Sequence, residues 1–308
     1  MSLIVNKHLF AAYCGLISSG YSLTDLSDSN IRALYDRIQK IEFDTKISDY
    51  FSFAKTNTVD VNPYYPRGSD LSVACFFLEN DISEYIDFLR FCNSPSANDE
   101  EFIKGIKNLK GPLGIIENHA EFDLLFAMYK ELVNNRFSSI DIQICGFQNK
   151  IKRFNDRNVQ FVFAPNLLQS KYLADFVFKD NTLYIISTSF SQISVAHEYF
   201  HILLNSKKDL LRKLIKQTNM DNFVNTDTMI KFGYMYDDSL NSKINAMEDC
   251  IIRAMCVAVI EDKDIESYLK MNIECGFVGV PVMIEKINEI DFAQLHIDDI
   301  ISKMIEEY

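Results

Sequence analysis

The chain has 308 residues, of which 48% are hydrophobic and 24% charged, enough apolar material to bury a sizeable core and too much for intrinsic disorder. Its formal charge of -12 argues against nucleic acid and anionic membrane surfaces as partners, since both call for basic patches. Seven cysteines, at 14, 75, 92, 145, 250, 256 and 275, form no CxxC pair and no disulfide framework, which fits a reducing, cytoplasmic compartment. The apolar stretch Leu9 to Ile17 is interrupted by Tyr13, Cys14 and Gly15 and shows no clear basic n-region or A-x-A cleavage site, so it does not read as a signal peptide. The longest apolar run, Cys250 to Ile260, is broken by Arg253 and is too short to span a bilayer.

Taken in order, the first half reads as helical. Leu9 to Ser18, Ile31 to Glu42, Leu71 to Glu79, Ile82 to Cys92, Glu100 to Leu109 and Phe122 to Asn134 carry apolar residues at three-to-four spacing. Two loop signals punctuate them, Asn62 to Gly68 and Gly111-Pro112-Leu113-Gly114. The texture changes after Ser139. Ile140 to Cys145 and Val159 to Ala164 read as strands, and Ala174 to Phe178 with Leu183 to Ser187 flank Lys179-Asp180-Asn181 as a hairpin. A helix from Ile193 to Leu204 follows at once. After it, further helices are predicted near Lys208–Thr218, Asn245–Ile260, Ile265–Met271, Pro281–Asn288 and Asp298–Glu307, the first two separated by a polar, aromatic connection from Asn219 to Ser242. The expected fold class is therefore α+β: a helical N-terminal half, residues 1–137, and a catalytic half, residues 138–308, which can also pack as one unit.

The helix from Ile193 to Leu204 contains His197-Glu198-Tyr199-Phe200-His201, an HExxH pattern, in a chain with only five histidines. Histidines four residues apart share one helix face, so both imidazoles can reach a single metal ion. Glu198 lies beside that ion in sequence, placed to take a proton from a bound water. A catalytic zinc takes three protein ligands and keeps one position open. A third histidine in the metzincin position is absent: Leu204 and Lys207 stand where glycine and histidine would be. His8 and His296 are weak candidates.

The stronger source is the segment Ala246-Met247-Glu248-Asp249-Cys250-Ile251-Ile252-Arg253-Ala254, which sets two acids at the head of an apolar helix. An acid there is costly unless it meets a cation. Glu248 shares a face with Ile251, Ile252 and Met255 and is assigned as the third ligand. Asp249, four residues before Arg253, is the substitute ligand or a neighbour paired with that arginine. The alternative is an N-terminal charge favoured by the helix dipole. Arg253 is then a clamp behind the ligands or a donor to substrate. Tyr234, Tyr236 and His119 are candidate oxyanion donors by residue type.

With these residues in view, the chain resembles a zincin metallopeptidase of the gluzincin type. His-Glu-Tyr-Phe-His followed by Glu-Asp-Cys-Ile-Ile-Arg-Ala is similar to a little-characterised bacterial family of zincin-like proteins with a helical N-terminal half. The likeness covers residues 140 to 260 and implies a zincin-like core, a small mixed sheet plus the HExxH helix, that holds Zn2+ and hydrolyses peptide bonds in a peptide or protein substrate. It departs from thermolysin-like enzymes at Ile252, where those carry an aspartate. The alternative function is an inactive or highly selective zincin that acts as a protein-binding or regulatory module.

Overall fold

The structure is a computed structural model, which describes residues 3–51, 66–78, 82–92, 95–154, 158–171, 173–205, 207–232, 234–235, 237–260, 265–289 and 297–305. In chain order the helices are α1 (Lys7–Ser18), α2 (Ser29–Gln39), α3 (Thr45–Phe51), α4 (Pro66–Ala74), α5 (Ile82–Phe91), α6 (Glu100–Lys107), α7 (Lys110–Glu117), α8 (Phe122–Arg136) and α9 (Ile140–Ile151). Three strands follow, β1 (Gln160–Pro165), β2 (Ala174–Lys179) and β3 (Thr182–Ser187). The chain continues through α10 (Gln192–Asn205), α11 (Lys208–Ile215), α12 (Thr226–Lys231), α13 (Leu240–Val259), α14 (Ile265–Glu274), α15 (Val280–Glu289) and α16 (Ile297–Ile305). This is an α+β chain, rich in helix with one small sheet. Among the described residues no helix is long and apolar enough to cross a membrane.

The chain divides into two compact units. The first comprises Met1–Cys145 and Val159–Phe190, the second Gly146–Asn158 and Ser191–Tyr308. The strands, grouped in the sequence reading with the HExxH helix, belong to the first unit. Its centre is α1, buried from Leu9 to Ile17 and packed by α2, α3, α4 and α7. Gly15 is required there, because a Cβ would run into the Phe51 ring. Phe10 stacks on Tyr129 of α8 at 4.8 Å, and the Tyr129 hydroxyl donates to the Pro165 carbonyl at the end of β1.

The sheet has the order β1-β3-β2, with β1 parallel and β2 antiparallel to β3. The predicted hairpin is present: Asp180 and Asn181 both take positive φ, 50° and 57°, as a two-residue turn between twisted strands demands.

Two expectations fail, each for its own reason. Ile140 to Cys145 is not a strand but the start of α9. Ile140, Ile144, Phe147 and Ile151 are buried at helical spacing, whereas Ile142, which made the run look alternating, is 76% exposed. Gly111 to Gly114 is not a loop but lies in α7. Pro112 falls in the first turn of that helix, where its missing N–H has no intrahelical partner to lose. The other loop signal lies mostly outside the described residues, and its end, Pro66 to Gly68, opens α4.

In the second unit α13 is the axis. Helices α10, α11 and α15 pack on it, and nearly every residue from Ala246 to Cys256 is buried. Residues of the α9 end join this unit: the Tyr199 hydroxyl of α10 donates to the Phe154 carbonyl at 2.7 Å, and Phe154 meets Phe200 edge-on. The connection from Asn219 to Ser242, read as irregular, contains α12. Its turn is fastened to the α14–α15 junction by Asn225 N–H donating to the Gly276 carbonyl at 2.8 Å.

Candidate metal centre

Helix α10 carries its apolar residues, Val195, Ala196, Tyr199, Phe200, Ile202 and Leu204, into the interior, which turns His197 and His201 along one face toward α13. Their Nε2 atoms lie 3.1 Å apart. The carboxylate that joins them is Asp249. Its Oδ1 is 3.1 Å from His197 Nε2 and 3.8 Å from His201 Nε2. Among the described residues this is the one group of three histidine, cysteine or acidic side chains whose donor atoms lie within 4.8 Å of one another.

The assigned ligand Glu248 stands elsewhere. Its Oε1 is 3.4 Å from Nδ1 of His201, the far nitrogen of that ring, and its Oε2 is 3.8 Å from Lys208 Nζ. Neighbours on a helix point about 100° apart, so the two acids cannot address the same point. Asp249 faces the Nε2 pair, and Glu248, only 4% exposed, reaches behind one imidazole. The dipole alternative also lapses. Helix α13 begins at Leu240, capped by Ser239, so both acids lie beyond its first turn, where the terminal charge no longer acts.

The electrostatics follow from burial and these neighbours. Burial holds the His197 pKa down to about 4, against the pull of Asp249, so this ring is neutral at pH 7. For His201, burial also works downward. It is outweighed by the bond to Glu248 and by the charges of Glu198, Asp249 and Glu248, and the net direction is upward. Asp249 is opposed by burial but held well below the usual carboxylate range by Arg253 and the two histidines.

A proton on His201 Nδ1 donated to Glu248 leaves a lone pair on Nε2. Two imidazole nitrogens and a carboxylate oxygen then converge. Their separations of 3.1, 3.1 and 3.8 Å bracket the roughly 3.3–3.4 Å between ligand atoms in a tetrahedron with bonds of about 2.0–2.1 Å. The donor set and its spacing fit a divalent metal ion.

The remaining candidates separate clearly. Glu198 is half-buried on α10, and its negative charge acts on His201 and on Cys256. Arg253 donates from Nε to Asp249 Oδ2 at 3.0 Å and is itself buried, so it serves the carboxylate rather than an incoming substrate. Tyr234 lies over the Arg253 guanidinium at 5.3 Å and edge-on to Phe277. Tyr236 and His296 lie outside the described residues. His119 belongs to the first unit, where its ring meets Phe43 and its Nδ1 accepts from the Glu121 N–H. His8 is paired there with Glu117 at 2.7 Å. Asn272, Phe277 and Lys208 also surround the centre. No spacing in the sequence distinguishes them, because they come from α14, the turn after it and α11.

Fold and site together describe a helix-rich α+β protein with a two-histidine, one-aspartate candidate metal centre. Comparison with family models, curated proteins and solved structures gave no match.

Proposed function

We propose that His197, His201 and Asp249 hold a zinc ion in the active site of a hydrolase that cleaves peptide bonds, with Glu198 as the proton carrier. The observation that carries this reading is the convergence of three lone-pair donors from two packed helices, next in sequence to the HExxH glutamate. The likeness of the HExxH and Glu-Asp-Cys-Ile-Ile-Arg-Ala segments to zincin metallopeptidases supports it, with an aspartate taking the place of the gluzincin glutamate. Three protein ligands leave one position for water or substrate. A zinc ion bound there supplies Lewis acidity, polarising a carbonyl and lowering the pKa of coordinated water toward about 7.

The chain's own groups do the rest. His197 and His201 present neutral Nε2 atoms, and Asp249 presents Oδ1. Glu248 fixes the His201 ring through Nδ1, the role that a carboxylate behind a metal-bound histidine commonly takes. Glu198 accepts the proton of the attacking water at its carboxylate and returns it to the departing amine. The same donor set suits iron(II); the position of Glu198 is what favours hydrolysis.

The test is Glu198→Gln in metal-loaded protein, assayed on a diverse peptide library with metal content measured by elemental analysis. Metal content is expected to be unchanged and cleavage to fall about 10²–10⁴-fold. Full cleavage by this variant overturns the mechanism, and iron in place of zinc overturns the metal assignment.

A further inference from the structure

The side of Asp249 turned away from the histidines is as closely built as the side turned toward them. Arg253 Nε donates to Oδ2 at 3.0 Å, four residues along the same helix. The far end of the guanidinium is fastened in turn, with Nη1 donating to Asn272 Oδ1 of α14 at 2.6 Å. Phe277 lies under its plane at 4.0 Å and Tyr234 at 5.3 Å. Arg253 is 8% exposed and Asn272 is fully buried. A buried arginine held by a hydrogen bond at each end and by an aromatic face has no freedom to follow a substrate.

We propose that Arg253 is a positioning residue that confines Asp249 to metal binding through Oδ1 alone. The proposal rests on the reading that the centre holds a metal. With Oδ2 engaged by Arg253, the carboxylate cannot swing to give both oxygens to the ion, and the position that the second oxygen would take stays open for water or substrate. The clamp also explains why the shorter acid serves: Asp249 is one helical turn from Arg253, whereas Glu248 lies five positions away and is turned toward Lys208.

The experiment is titration of the full chain with cobalt(II), read by affinity and by the visible absorption of the bound ion, whose intensity falls as the coordination number rises. Wild type is compared with Arg253→Met, Arg253→Lys and Asn272→Ala, each checked for folding by circular dichroism without metal. Lysine keeps the charge but lacks the planar fork, so both arginine variants are expected to bind cobalt about 10–100-fold more weakly. Their absorption should also be weaker, as the released carboxylate ligates through both oxygens. Asn272→Ala should move both readouts in the same direction by a smaller amount. A folded Arg253→Met with wild-type affinity and spectrum overturns the proposal. If that variant does not fold, unchanged affinity and spectrum in both Arg253→Lys and Asn272→Ala overturn it instead. Failure of wild type to bind cobalt overturns the metal reading itself, a distinguishable result.

Discussion

Replacing each of the two adjacent acids in turn decides which one serves the proposed metal centre. Asp249 Oδ1 lies 3.1 and 3.8 Å from the two Nε2 atoms, whereas Glu248 approaches only the opposite nitrogen of His201, at 3.4 Å. In the proposed centre, loss of Asp249 therefore removes a ligand, and loss of Glu248 removes support for one. Dividing the roughly 10–16 kcal/mol of a four-ligand zinc site evenly assigns about 2.5–4 kcal/mol to each ligand, or roughly 100- to 1,000-fold in affinity. Removal of a carboxylate behind a metal-bound histidine costs about 10- to 100-fold. Asp249→Ala also strands the buried Arg253 guanidinium, at a cost of about 3–5 kcal/mol in stability. Asp249→Asn is the better variant, since its amide oxygen still accepts from Arg253. Zinc affinity is measured by competition with a chromophoric chelator, for wild type, Asp249→Asn and Glu248→Ala. The expected order is wild type, then Glu248→Ala, then Asp249→Asn. A Glu248→Ala protein that binds more weakly than Asp249→Asn refutes the assignment and restores Glu248 as the ligand.

In the first unit, burial raises the Asp175 pKa to about 7, against donation from the Ser69 hydroxyl and with a further rise from the Asp70 charge. The unfolded chain releases this proton near the ordinary 3.8, before the folded one does. Stability therefore falls as pH rises from about 4 to about 7, by roughly 4 kcal/mol at most. Asp175→Asn should flatten that part of the stability profile and raise the unfolding midpoint at pH 8, with little change near pH 4; an unaltered profile rejects the argument. Gly276 has φ +101°, and an added Cβ would lie 2.6 Å from Met229 Cγ. Gly276→Ala should cost about 1–3 kcal/mol in denaturant unfolding, and a neutral result rejects the strain. Tyr199→Phe deletes the buried bond to the Phe154 carbonyl and should lower stability by about 1 kcal/mol, leaving zinc affinity unchanged.

Much of the fold was legible because it is written in local periodicity. The helices around α1, α2, α8, α10 and α13 follow from apolar residues three and four apart. The hairpin follows from Asp180 and Asn181, which tolerate the positive φ that the turn needs. The error at α9 shows the limit of a short window. Ile140, Ile142 and Ile144 alternate, and only Phe147 and Ile151 extend the pattern into a helix. The reading at α7 fails differently, since glycine and proline signal a loop by propensity while a first helical turn accepts both.

The sequence by itself determined that two histidines would share a helix face with a glutamate beside them, and that an acid on a later apolar helix would need a cation. Spacing four along one helix is a local property, and it survives any packing. The choice between Glu248 and Asp249 is not local. It depends on how α13 is rotated against α10 and on which carboxylate has the length to reach Nε2 rather than Nδ1. The partners of Arg253 are further still from the sequence pattern, since Asn272 and Phe277 come from beyond the helix that carries the arginine. Tertiary packing alone set them around it, and with them the orientation of Asp249, the proposed third ligand.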